Sequence, residues 1–163
     1  MSRFRLERFR PVRLKLLLEA HRELRRVAKD PRHYSDIVVP AARTLPPVAP
    51  DDTGVVATDG NPARRMAAEV AWSVSRAAGL SRAYTCLVRA VAASRLLQAR
   101  GISSNVVVGT DSTALSSFQA HAWLEINGEP VLGFEAGKRY AVFGALTCPA
   151  LHAGVQPKIT SPT

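Results

Sequence analysis

Residues 84–93 read YTCLVRAVAA, with one cysteine at the point where an apolar helical pattern begins. Thr85 is a typical N-cap residue, so Cys86 is predicted to lie in the first turn of a helix that runs to about Arg100. The unpaired N–H groups and the positive dipole end of a helix favour a thiolate there. Because the thiolate is the nucleophilic form of cysteine, Cys86 is a candidate nucleophile. The alternative is a buried structural cysteine.

The helix that begins at Cys86 is predicted to be largely buried, because small and apolar side chains occupy most of its faces. Three basic side chains of this helix, Arg89, Arg95 and Arg100, are expected to reach solvent. Gly101 is expected to end it. A preceding helix is predicted at residues 63–79, whose apolar face consists of Met66, Val70, Val74 and Ala77.

The first 30 residues hold most of the positive charge of the chain, with ten basic and four acidic side chains against a net charge of +9 overall. Helical spacing predicts an amphipathic helix over residues 12–29, with an apolar face formed by Leu14, Leu17, Leu18, Leu24 and Val27. This helix either packs on the domain or serves as a docking arm for a partner protein or peptide.

Strand patterns follow the helices. Residues 105–109 are rich in valine, residues 118–126 alternate, and Asn127-Gly128 predicts a tight hairpin that returns over residues 129–134. A short fourth strand is predicted at residues 140–143. Helices followed by antiparallel strands predict an α+β fold.

Three segments are predicted along the chain. Residues 1–62 form a basic helical extension and a proline-rich linker, residues 63–146 form the α+β domain, and residues 147–163 form a loose tail.

Composition excludes several classes of protein. No apolar run approaches the ~20 residues of a membrane span, and two cysteines do not form a disulfide framework. The sequence shows neither a zinc-ligand spacing nor an RNA-binding signature. We therefore expect a cytoplasmic protein without metal, cofactor or nucleic-acid partner.

His121 is the candidate base. It lies on the strand that enters the hairpin, in Ala120-His121-Ala122-Trp123, where it can meet the start of a helix packed on the sheet. A Cys–His pair supplies a nucleophile with a base that later protonates the leaving group. A hydrogen-bonded core histidine is the alternative.

The order of these motifs resembles the transglutaminase-like cysteine fold, related to papain, over residues 66–143. The motifs are the cysteine at the helix start, the Arg100-Gly101-Ile102 turn before a valine-rich strand, and the Ala-His-Ala-Trp strand. More narrowly, they resemble the leader peptidases of lasso-peptide biosynthesis, the microcin-processing type. This resemblance implies a cytoplasmic cysteine protease that cuts the leader from a ribosomal precursor peptide. It also implies two partners, a separate leader-binding protein and an ATP-dependent macrolactam cyclase.

Members of that family use a Cys–His–Asp triad, and Gly133 stands where their aspartate is expected. If residues 126–128 form a three-residue loop with a bulge at Gly128, His121 faces Gly133 and Glu135 can reach it diagonally. If the turn is Asn127-Gly128 alone, Glu135 points away. We favour the first arrangement and Glu135 as the orienting acid. Asp111 and a backbone carbonyl are the alternatives.

Three further residues have candidate roles. Gln119 lies two residues before His121 on the same strand face and is a candidate oxyanion donor beside the backbone N–H of Cys86, or else a solvated side chain. Trp123 lines the substrate groove or packs in the core. Cys148 is a weaker nucleophile candidate, because no helix start activates it.

The sequence therefore predicts a cysteine endopeptidase that acts through a thioester on Cys86, with His121 as general base. Acyl or amide transfer through the same thioester is one alternative. A non-catalytic peptide-binding module with a degenerate site, suggested by Gly133, is the other.

Overall fold

The computed structural model describes residues 11–30, 43–44, 61–112 and 119–148. Most of the predicted linker, and the predicted tail beyond Cys148, lie outside these residues. The described elements are α1 (Pro11–Lys29), β1 (Arg43–Thr44), α2 (Pro62–Ala78), α3 (Cys86–Gln98), β2 (Ser104–Asp111), β3 (Ala120–Ile126), β4 (Glu129–Leu132) and β5 (Tyr140–Cys148).

The strands form one antiparallel sheet in the order β1-β5-β2-β3-β4. Alternation along β3 divides its side chains between two cores. Ala122 and Leu124 belong to the main core, which the three helices share. Trp123 belongs to a second cluster with Val107, Tyr140 and Val142. The predicted α+β class, with helices on a small antiparallel sheet, is confirmed.

The helix that begins at Cys86 is the centre of the fold, as its apolar composition predicts. Eight of its 13 residues are buried, and it packs against α1, α2, β2 and β3. The hydroxyl oxygen of Thr85 accepts a hydrogen bond from the backbone N–H of Val88 at 3.4 Å, which confirms the predicted N-cap. Cys86 is therefore fixed at the first helical position.

Two arginines of α3 that were predicted to reach solvent do so only in part. Arg95 and Arg100 keep 33% and 24% of their side-chain surface exposed and pair with Glu23 and Glu19 of α1. The rest of each side chain is covered because α1 packs on this side of α3.

Helix α1 packs against both α2 and α3. Its buried stripe consists of Leu16, Ala20, Leu24 and Val27. Leu14 and Leu18 of the predicted apolar face are instead 53% and 52% exposed. Each lies two residues from Leu16 of the stripe. Two residues along an α-helix correspond to a rotation of about 200°, so both leucines face away from the core.

The β3–β4 turn corrects the predicted loop. Ile126 pairs with Glu129, and the two turn residues have φ values of 53° and 82°. This is a two-residue Asn127-Gly128 turn with both residues left-handed, the typical type I′ hairpin. The three-residue loop is wrong. Farther along the hairpin, between Leu124 and Glu125, the pairing of β3 with β4 shifts by one residue.

Strand β5 is longer than predicted. It has nine residues and lies between β1 and β2, so it is an interior strand of the sheet. None of the described helices is long and apolar enough to cross a membrane.

Candidate active site

Cys86 and His121 line the same cavity, whose volume is about 260 Å³. The cavity opens beside the first turn of α3 and is bounded on its far side by the chain that follows β4. Its lining residues are Cys86, Arg89, Ala90, His121, Ala122, Leu132, Gly133, Phe134 and Glu135.

The pairing of β3 explains why a cavity forms here. Among the described residues, β4 pairs with β3 only from Leu124 to Ile126. The first residues of β3 therefore extend past the end of β4 at Leu132. Cys86 approaches this edge from the helix side, and His121 lies on the other face of the sheet. The open edge lets the two residues share one cavity.

The imidazole of His121 is held by the main chain. Its Nε2 lies 2.5 Å from the carbonyl oxygen of Gly133. A carbonyl oxygen only accepts hydrogen bonds, so Nε2 carries the proton and donates it. In the neutral ring, Nδ1 is then unprotonated and basic. Nδ1 is thus the ring nitrogen that is left to accept a proton from a thiol.

Aromatic rings also fix the orientation of His121. Its ring stacks on Tyr140 with centroids 5.6 Å apart and on Trp123 with centroids 6.3 Å apart, both with interplanar angles of 20°. Trp123 is fully buried, and its indole N–H donates to the Glu125 carboxylate at 2.8 Å. Of the two roles predicted for Trp123, the structure shows core packing beneath His121.

Gly133 has a backbone conformation that disfavours a side chain. Its φ is +84°, and a Cβ atom would lie 3.2 Å from the carbonyl oxygen of Ala122. An aspartate at this position would therefore be strained. The carbonyl group of the same residue supplies the acceptor for His121 instead.

Glu135 reaches the cavity, but its carboxylate pairs with Lys138 at 2.5 Å. The hydrogen bond from Lys138 holds the pKa of Glu135 below its usual value. Asp111 lies on the other side of the same lysine, at 3.8 Å. Of the three acceptors that the sequence leaves open for His121, the backbone carbonyl is the one in contact with Nε2. A catalytic role for Glu135 stays a prediction.

Comparison with known families gives a match to the transglutaminase-like superfamily over residues 51–144, more than half of the 163 residues. The chain belongs to the transglutaminase-like superfamily. No curated protein and no solved structure matches it. The matched range contains Cys86, His121 and Gly133, so the cavity lies inside the transglutaminase-like region. The superfamily includes cysteine-dependent enzymes.

Two other residues that were given candidate roles from sequence, Gln119 in the transglutaminase-like region and Cys148 beyond it, lie outside the cavity lining. Gln119 is exposed and directly precedes β3. Cys148 pairs with Ser104, whereas His121 pairs with Gly109. Five residues of extended strand separate these two points on β2, about 17 Å. Cys148 is thus at the opposite end of the sheet from His121.

Arg89 is the cavity residue that sequence reasoning missed. It was expected to reach solvent, yet it is half-buried and lines the cavity. Its position three residues after Cys86 is the signal that could have identified it, because residues i and i+3 of a helix are surface neighbours.

Tyr140 has a buried hydroxyl group with no hydrogen-bond partner among the described residues. Burial raises its pKa above the usual 10.0, and the nearby Glu135 carboxylate adds to the effect. Within the described part of the chain, the hydroxyl therefore contributes packing but no hydrogen bond.

Tyr140→Phe is expected to leave the free energy of unfolding at pH 7 within about 0.5 kcal/mol of the parent value, or to increase it, because no hydrogen bond is lost. The parent should lose stability above pH 10.0, since the unfolded chain releases the phenol proton first. The loss reaches at most about 1.4 kcal/mol per pH unit. Urea unfolding at pH 7 and pH 10.5 measures both effects. A variant that is destabilised at pH 7 would reveal a hydrogen bond on this hydroxyl.

Proposed function

We propose that this chain is a cysteine peptidase that removes the leader from a ribosomally made lasso-peptide precursor. The observation that carries this proposal is the shared cavity of Cys86 and His121, in which the Gly133 carbonyl leaves Nδ1 as the base. The resemblance of the motifs to lasso leader peptidases supports the choice of substrate, and membership of the superfamily supports cysteine chemistry.

The first half of the reaction forms a thioester. Nδ1 of His121 takes the proton of the Cys86 thiol, and the sulfur attacks the scissile carbonyl carbon. The backbone N–H of Cys86 lies in the first turn of α3, where such groups have no intrahelical partner, and it stabilises the oxyanion. His121 then returns the proton to the leaving amine, which departs as the new N-terminus of the core peptide.

The second half hydrolyses the thioester. Nδ1 of His121 deprotonates a water molecule, which attacks the thioester carbonyl and releases the leader with a free carboxyl terminus. The proton on His121 returns to the Cys86 thiolate. Gln119 is the proposed second oxyanion donor; because it lies outside the cavity lining, its side chain has to turn toward Cys86 when the substrate binds.

The proposed partners are the precursor peptide, a separate leader-binding protein and an ATP-dependent macrolactam cyclase. The first presents the scissile bond, the second delivers the leader, and the third closes the ring after cleavage. The proposed compartment is the cytoplasm, where such precursors are made.

The function is tested by the products formed from a synthetic lasso-type precursor and its leader-binding protein. Mass spectrometry should find a leader with a free carboxyl terminus and a core peptide with a free amino terminus. A leader whose new carboxyl terminus carries a lysine peptide supplied at low concentration, formed instead of the free acid, would establish acyl transfer. A hydroxamate formed with hydroxylamine shows only that a thioester intermediate exists. Intact precursor and unmodified Cys86 under both conditions would refute both forms of thioester chemistry.

A further inference from the structure

Arg89 lines the cavity of Cys86 without an acidic partner among the described residues. Arg89 and Glu135 are the two charged side chains in the cavity lining, and Glu135 is paired with Lys138. Arg89 donates a long hydrogen bond of 3.5 Å to the Ser75 hydroxyl on α2. Its Nε is buried and has no acceptor among the described residues.

A buried guanidinium N–H without an acceptor is unusual. Arginine presents five N–H donors in a rigid fork and stays charged at any physiological pH. A buried donor without a hydrogen-bond partner is costly. In folded proteins most buried donors therefore bind a protein group, an ordered water or a ligand. Arg89 is three residues from Cys86 on α3, and both line the same cavity, so a substrate bound at Cys86 passes close to the Arg89 side chain.

We propose that Arg89 binds a carboxylate of the peptide substrate, the side chain of an aspartate or glutamate that flanks the scissile bond. This inference rests on the proposed peptidase function for its substrate. A carboxylate matches the planar fork of arginine better than a neutral carbonyl does, because it accepts two parallel hydrogen bonds. The pairing of Glu135 with Lys138 leaves Arg89 available for that contact.

The first test compares peptides that differ only in glutamate against glutamine at each position flanking the cleaved bond. For the parent protein, kcat/KM at one position should favour glutamate by about tenfold, the usual scale for a hydrogen-bonded charge. Arg89→Gln should reduce this ratio to near one, and Arg89→Lys should retain part of it. Equal rates for every pair, or an unchanged ratio in Arg89→Gln, would overturn the inference.

The second test does not depend on peptide cleavage. Iodoacetate carries a carboxylate and iodoacetamide does not, so the ratio of their alkylation rates reports the charge near a thiol. This ratio should be several-fold higher at Cys86 than at Cys148 of the same molecules, and Arg89→Gln should remove the difference. Equal ratios at the two cysteines would overturn the carboxylate site.

The two tests fail separately. A parent protein that cuts no peptide but keeps the high iodoacetate ratio at Cys86 refutes the peptidase function and supports the anion site. Cleavage without any charge preference refutes the anion site and supports the peptidase. Thermal unfolding of Arg89→Gln and Arg89→Lys shows whether each variant is folded. If Arg89→Gln is not folded, the comparison uses Arg89→Lys, which keeps the charge but lacks the planar fork.

Discussion

Cys86→Ala is expected to reduce precursor cleavage by about 10³-fold or more, because removal of a catalytic nucleophile leaves only binding and oxyanion stabilisation. Cys148→Ala is the matched control and should cleave at the parental rate, since Cys148 is at the opposite end of the sheet. Cleavage is measured by mass spectrometry over a range of enzyme concentrations.

The folded state should survive the substitution at Cys86. The side chain is half-buried at the helix start, and the Thr85 cap that fixes this end of α3 does not involve the sulfur. Parent and variant should therefore have closely similar thermal unfolding curves. A folded Cys86→Ala protein that still cleaves at the parental rate would eliminate Cys86 as the nucleophile.

Thiol reactivity of the parent protein distinguishes an enzyme from a peptide-binding module with a degenerate site. In an enzyme, a mild electrophile should modify Cys86 faster than Cys148 at neutral pH, because a catalytic thiol lies in activating surroundings. A protein that binds the precursor, cleaves nothing and shows the same reactivity at both thiols would be a binding module.

Local sequence signals predict the elements that position the site. Thr85 caps α3 because its side chain accepts from a backbone group three residues later. Asn127-Gly128 forms the turn because both residues adopt positive φ at low cost. The cap depends on a few neighbouring residues, so the sequence alone was sufficient to predict it. The Asn127-Gly128 motif locates the hairpin correctly, although the three-residue loop that we favoured from sequence is wrong.

The features missed from sequence depend on contacts between distant segments. The hairpin motif contains no signal for the one-residue register shift between β3 and β4, or for the contact of His121 with the Gly133 carbonyl beyond the end of β4. Arg89 and Arg95 lie on the same helix, yet one lines the cavity and the other pairs with α1. Their surroundings are set by the packing of α1 and β4, which helical periodicity cannot reveal.

Leu24→Ala is expected to lower the free energy of unfolding by about 3 kcal/mol, within the usual range for a buried leucine. Leu24 lies on α1 and is fully buried in the core that α1 shares with the other helices. Leu18→Ala is the matched control on the same helix, because Leu18 is 52% exposed, and its effect should be within about 0.5 kcal/mol. Urea unfolding followed by circular dichroism measures both values.

This pair of variants decides between the two roles predicted for the basic helix. If α1 belongs to the core, Leu24→Ala shifts a single cooperative transition that includes α3, because Arg95 and Arg100 of α3 also pair with α1. If α1 is a detachable docking arm, Leu24→Ala leaves the unfolding transition of the remaining domain unchanged. The substitution then causes only a small loss of helix signal at low urea concentration. The buried stripe of α1 favours the first outcome. Docking of a partner would then use the opposite face, where Leu14 and Leu18 are exposed, and Leu18→Ala would weaken that binding without destabilising the fold.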